Sequence, residues 1–173
     1  MIGKVAKGRM VGGLLRYLYG PGRANEHTNP HLAAAWDDPA LLEPTLVEDG
    51  RLDFRPLTEL LEQTLRAVDS TAPKPVWHCA LRTAPGDRRL SDAEWDDAAR
   101  EVLDRTSLAP RGTDGGCRWV AVRHSEDHIH LVVTPGSRLR LRPGLPPRPT
   151  CASEGHRSPP DRAASPRSPQ NTT

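Results

Sequence analysis

The chain has 173 residues, of which 36% are hydrophobic and 4% aromatic, and its formal net charge is +2. With a mean hydropathy of −0.61 and no long apolar run, it does not read as an integral membrane protein. The short apolar stretch after the basic N-terminus is broken by glycines, so no signal peptide is expected. Three well-separated cysteines (Cys79, Cys117 and Cys151) make no CxxC pair, which argues against a disulfide framework or a cysteine zinc site and for a reducing, cytoplasmic setting.

In chain order, residues 1–24 carry Lys4, Lys7, Arg9, Arg16 and Arg23, with no acid before Glu26. Leu14, Leu15, Tyr17 and Leu18 predict a short helix that Gly20-Pro21-Gly22 stops. After a polar loop containing His27 and His31, Ala33, Ala34, Ala35 and Trp36 predict a brief helical turn. Residues 55–69 repeat apolar positions (Leu57, Leu60, Leu61, Leu65, Val68) at helical spacing. Val76 to Leu81 reads as a strand, and Pro85-Gly86-Asp87 as a turn. Ser91 with Glu94 three residues on reads as a capping box, opening a helix to about Leu108 whose apolar face is Trp95, Ala98, Ala99, Val102 and Leu103. Two strands follow, Arg118 to His124 and His128 to Val133. This order predicts an α+β domain over 1–133, an antiparallel sheet with helices packed on one face.

The composition changes after Val133. Residues 134–173 hold nine of the 18 prolines and seven arginines against two acids, with no aromatic residue and no apolar periodicity. Such a segment buries too little to offset its ordering entropy and is expected to be disordered. Its charge of +5 leaves −3 for the first 133 residues. The switch at Thr134-Pro135 is abrupt, and two origins fit it: truncated or out-of-frame sequence, or a natural disordered extension.

The chemistry concentrates in the last hairpin, where His124, His128 and His130 fall within seven residues. Alternation puts His128 and His130 on one face of their strand. If Ser125-Glu126-Asp127 is the loop, His124 lies opposite His128 and Val122 opposite His130, so all three imidazoles converge. A one-residue slip would break the cluster. Trp119, Ala121, Ile129, Leu131 and Val133 would form the opposite, core face. Three convergent neutral imidazoles suit a divalent metal with open coordination positions, and Glu126 or Asp127 could orient a ring nitrogen.

The His-x-His strand, a third histidine just upstream and a tyrosine near the N-terminus together resemble the HUH nucleases, in particular the relaxases of plasmid mobilisation. Gly13 to Gly22 is similar to their tyrosine motif. His78 to Leu81 with Pro85-Gly86-Asp87 and Leu90-Ser91 is similar to the strand, turn and helix before their metal motif, and Glu26 to Leu32 is similar to actinobacterial members. The resemblance covers residues 4–133 and implies an HUH-like fold that is incomplete on its C-terminal side. It implies a DNA strand transferase that nicks single-stranded DNA at a transfer origin. A tyrosine attacks the scissile phosphate to give a 5′-phosphotyrosyl adduct, assisted by Mg²⁺ or Mn²⁺ on the histidines. Accessory mobilisation proteins are implied as further partners.

On this reading Tyr17 is the expected nucleophile, Tyr19 the alternate on the far side of the helix, and His124, His128 and His130 the metal ligands. Lys4, Lys7, Arg9, Arg16 and Arg23 are candidate contacts to the DNA backbone. His27 and His31 could touch phosphate or brace their loop, with bracing the simpler role. Two other functions fit the same residues: a non-catalytic DNA-binding remnant, and a metal hydrolase using a bound water.

Overall fold

A computed structural model describes residues 1–23, 27–67, 73–112 and 117–135. The elements are β1 (Ile2–Gly8), α1 (Val11–Tyr19), β2 (His31–Ala35), α2 (Pro39–Leu42), β3 (Thr45–Leu46), β4 (Leu52–Asp53), α3 (Arg55–Ala67), β5 (Val76–Arg82), α4 (Asp92–Arg105), β6 (Arg118–Arg123) and β7 (His128–Thr134). Five of the strands form one antiparallel sheet in the order β1-β5-β7-β6-β2, and β3 and β4 pair separately. The class is α+β. Among the described residues no helix is long and apolar enough to cross a membrane.

The helices cover both faces of the sheet, not one as expected. Trp95, Ala99 and Leu103 of α4 pack on Cys79, Leu81, Trp119, Ala121, Ile129, Leu131 and Val133. Val11, Leu15 and Leu18 of α1, with Leu57 and Leu61 of α3, pack on Val76, Val120, Val122 and Val132. The central strands are apolar on alternate residues in both directions, so each face needs a helical cover. β7 lies between β5 and β6 with both backbone edges paired.

One local expectation is corrected, and one strand of the five-stranded sheet is added to those the sequence predicts. Ala33 to Trp36 is not a helical turn. Ala33, Ala34 and Ala35 belong to β2, which pairs with β6 through an irregularity between Leu32 and Ala34. Alanine favours helix intrinsically, but the ladder to β6 and burial of this segment from both sides outweigh that preference. β1 was not anticipated; its seven residues are largely exposed on the outer edge of β5, where Lys4 and Lys7 discourage further pairing.

The capping box at Ser91 and Glu94 is present in both directions, and α4 ends at Arg105, short of Leu108. β7 runs one residue beyond the expected domain boundary. Thr134 is buried, its hydroxyl donating to the Arg118 carbonyl and accepting from Thr64. Val68 and the tail from Gly136 onward lie outside the described residues.

Candidate metal centre

The β6–β7 register pairs Val122 with His130 and Arg123 with Ile129, the pairing that a Ser125-Glu126-Asp127 loop requires. His128 and His130 therefore share the face covered by α1 and α3, and His124, the residue after β6, meets them. Ring centroids stand 4.6 Å apart for His124 and His128, 4.7 Å for His124 and His130, and 5.3 Å for His128 and His130. One nitrogen from each of the three lies within 4.8 Å of the others, an arrangement that can hold a metal ion.

The protonation chemistry fits that use. Burial, reinforced by the neighbouring imidazoles of His78, His124, His128 and His27, pushes the His130 pKa down to about 3, so its ring is neutral and keeps a lone pair. His128 is oriented from behind: Asp127 Oδ1 lies 2.7 Å from its Nδ1, so Nδ1 donates and Nε2 is left for an ion. Burial alone would raise the Asp127 carboxyl. The hydrogen bonds from His128, Ser125 and Arg82 outweigh it and hold the group well below the usual carboxylate range. Glu126 does not share this role, because its carboxylate pairs with Arg89 at 2.5 Å.

Two further histidines join the cluster. The first is His27, in the loop after α1. A Cβ on Gly20 would stand 2.9 Å from the Arg16 carbonyl, so only glycine closes the helix end this tightly. The freed Gly20 carbonyl accepts from His27 Nδ1 at 2.7 Å, and the Thr28 N–H donates to the His124 carbonyl at 2.7 Å. The loop is thereby tied to the hairpin, with the His27 ring 3.7 Å from that of His124. The expected bracing role is real, and it delivers His27 into the site. The second is His78 on β5, whose Nε2 lies 2.7 Å from His130 Nδ1.

The two tyrosines separate as their helical spacing requires. Tyr17 is 48% exposed and meets the edge of His27 at 5.5 Å, so its ring stands next to the histidine cluster. Tyr19 is 9% exposed and points into the other side, donating to Glu43 at 2.7 Å; burial, then Glu43, raises its pKa far above the ordinary phenol value. A phenol held protonated and enclosed is a poor nucleophile, so Tyr17 is the better placed of the two.

The basic residues do not form one surface. Lys4 is paired with Ala80, which is paired with His130, so Lys4 lies on the histidine face. Lys7 pairs with Trp77 and lies on the opposite one. Arg9 joins β1 to α1, and Arg23 follows the glycine turn. Arg16 lines a groove of about 840 Å³ beside Gly20, Phe54 and Arg55. His31 faces away from the cluster. It is opposite Arg123, and both contact Asp92, at 3.2 and 2.6 Å respectively.

No protein-family model, curated protein or solved structure matches the chain.

Proposed function

We propose that this protein is a metal-dependent DNA strand transferase of the relaxase type, with Tyr17 as its nucleophile. The observation that carries the proposal is the line of contact from Tyr17 through His27 to His124, which brings an exposed phenol up to three metal-suited imidazoles. In the reaction, the Tyr17 oxygen bonds to the scissile phosphorus as the bond from phosphorus to the 3′ oxygen breaks. The half-exposed phenol loses its proton to solvent, and the leaving 3′ oxygen takes one up. The phosphotyrosyl ester keeps the phosphoester energy for rejoining, where hydrolysis would dissipate it.

A divalent ion held by His124, His128 and His130 would neutralise charge on the phosphate. Of Mg²⁺ and Mn²⁺, an all-imidazole donor set favours Mn²⁺, the more tolerant of nitrogen. Lys4, on the histidine face of the sheet, and Arg16, in the groove beside Tyr19, are the basic residues that would hold the strand.

The test is a covalent-adduct assay: labelled single-stranded DNA, both a random pool and transfer-origin oligonucleotides, incubated with Mn²⁺ and resolved under denaturing conditions. A denaturation-stable adduct is expected, lost with chelator and with Tyr17→Phe. Salt-sensitive binding without adduct would instead make the protein a non-catalytic DNA-binding remnant. Cleavage that survives loss of both tyrosines would make it a hydrolase using metal-bound water.

A further inference from the structure

β7 presents two histidines on one face, and each has its Nδ1 occupied from behind, but by different chemistry. His128 Nδ1 meets the carboxylate of Asp127 from the adjoining loop. His130 Nδ1 meets a second imidazole, His78 Nε2, at 2.7 Å, with the two rings nearly parallel at 23°. His78 reaches this position because β5 is paired with β7 from His128 to Val133. Ala80 pairs with His130 and Val132 with His78, so the two histidines are diagonal neighbours on one face.

In a bond between two neutral imidazoles one nitrogen donates and the other accepts, and the choice fixes both tautomers. If His130 is to offer Nε2 to an ion, its proton must sit on Nδ1, and His78 must then accept through Nε2 and carry its own proton on Nδ1.

We propose that His78 is a positioning residue of the metal centre: by accepting the Nδ1 proton of His130 it fixes the ring's orientation and the tautomer that turns Nε2 toward the ion. This rests on the metal reading of the trio. It goes beyond that reading by giving the second face-sharing histidine its own support, from a residue outside the hairpin. The support is neutral. A carboxylate would push electron density through His130 onto the metal, whereas a neutral imidazole pushes less and leaves the ion a stronger Lewis acid for phosphate.

The experiment measures Mn²⁺ and Co²⁺ affinity by calorimetry, with the Co²⁺ visible spectrum as a report on the donor set, for wild type, His78→Phe and His78→Gln. Phenylalanine fills the space without an acceptor; glutamine restores an acceptor oxygen near the position of Nε2. The expected result is roughly a 10- to 100-fold loss of affinity in His78→Phe, as for other groups that orient metal-binding histidines. Recovery to near wild type is expected in His78→Gln, with the same Co²⁺ spectral shape. Unchanged affinity in His78→Phe, or equal loss in both variants, overturns the positioning role. Absence of metal binding by the wild type overturns the metal reading itself, a separately visible outcome. If His78→Phe does not fold, long-range proton–nitrogen spectra of the metal-free wild type decide: His130 protonated on Nδ1 supports the role, and His130 protonated on Nε2 overturns it.

Discussion

Asp127 accepts the Nδ1 proton of His128 at 2.7 Å while the same carboxylate receives Arg82 at 2.7 Å and Ser125 at 2.8 Å. The Asp127 backbone carbonyl is held as well, by the Thr83 N–H at 3.0 Å. One loop residue thus sets the ring of His128 and ties the β6–β7 turn to the end of β5. Asp127→Asn keeps the shape but removes the charge that favours the Nδ1–H tautomer. Metal affinity is expected to fall about 10- to 100-fold with little change in melting temperature. Calorimetric titration with Mn²⁺ checks this, and an unchanged affinity would remove Asp127 from the site.

His130 makes the metal-free protein sensitive to acid. Its folded pKa is down to about 3, whereas the unfolded chain takes up that proton near the ordinary histidine value of about 6.5. Between those values the unfolded state binds more protons than the folded one, so stability falls as the pH drops through that window. The slope from this one group is at most about 1.4 kcal/mol per pH unit. Protons compete with the ion over the same range, so metal affinity weakens too. Urea midpoints at several pH values between 7 and 4, in chelator, should decline less steeply for His130→Asn than for wild type; parallel curves would show that His130 is not the group responsible.

The two tyrosines should give opposite phenotypes. Tyr17→Phe removes an exposed hydroxyl, so adduct formation disappears and thermal stability stays. Tyr19→Phe removes the donor to Glu43, whose other carboxylate oxygen holds the Leu32 N–H. Leaving that carboxylate short of a partner costs about 1–3 kcal/mol, with Tyr17 untouched. Thermal melts and adduct assays run on both variants separate the roles, and an active Tyr17→Phe protein would reject Tyr17.

Arg16 projects from α1 into the groove beside Gly20 and Phe54, one residue before Tyr17. If a DNA phosphate rests there, Arg16→Ala weakens single-strand binding across sequences. The slope of log affinity against log salt should become shallower by about 0.7, the value for one lost contact to a single strand. Fluorescence anisotropy over a salt series gives both numbers, and an unchanged slope places the strand elsewhere.

The histidine trio was legible because its geometry is local. A three-residue loop and a period-2 strand suffice to bring His124, His128 and His130 together, and both are written within a dozen residues. The capping box of α4 was legible for the same reason. His27 and His78 were not, because their approach depends on partners far away in the chain. His27 arrives only after the Gly20 turn folds its loop onto the hairpin, and His78 only because β5 lies next to β7. The alternation of Val76, His78 and Ala80 puts one histidine on a face, and the resemblance puts His78 on the strand before the metal motif, but neither says what that face meets.

By itself, then, the amino-acid order determined the local pieces: the glycine-stopped helix bearing Tyr17, the amphipathic helices, and a hairpin that gathers three imidazoles in one of its possible registers, the one the structure adopts. These follow from periodicity and turn chemistry over short separations. Tertiary structure alone decided the strand order β1-β5-β7-β6-β2, the strand form of the alanine run, the helical cover on both faces and the enclosure of Tyr19. It also enlarged the trio to five histidines with Tyr17 at their edge. Strand order is a choice among long-range pairings whose energies are similar residue by residue, and it is settled only when every apolar face is covered at once.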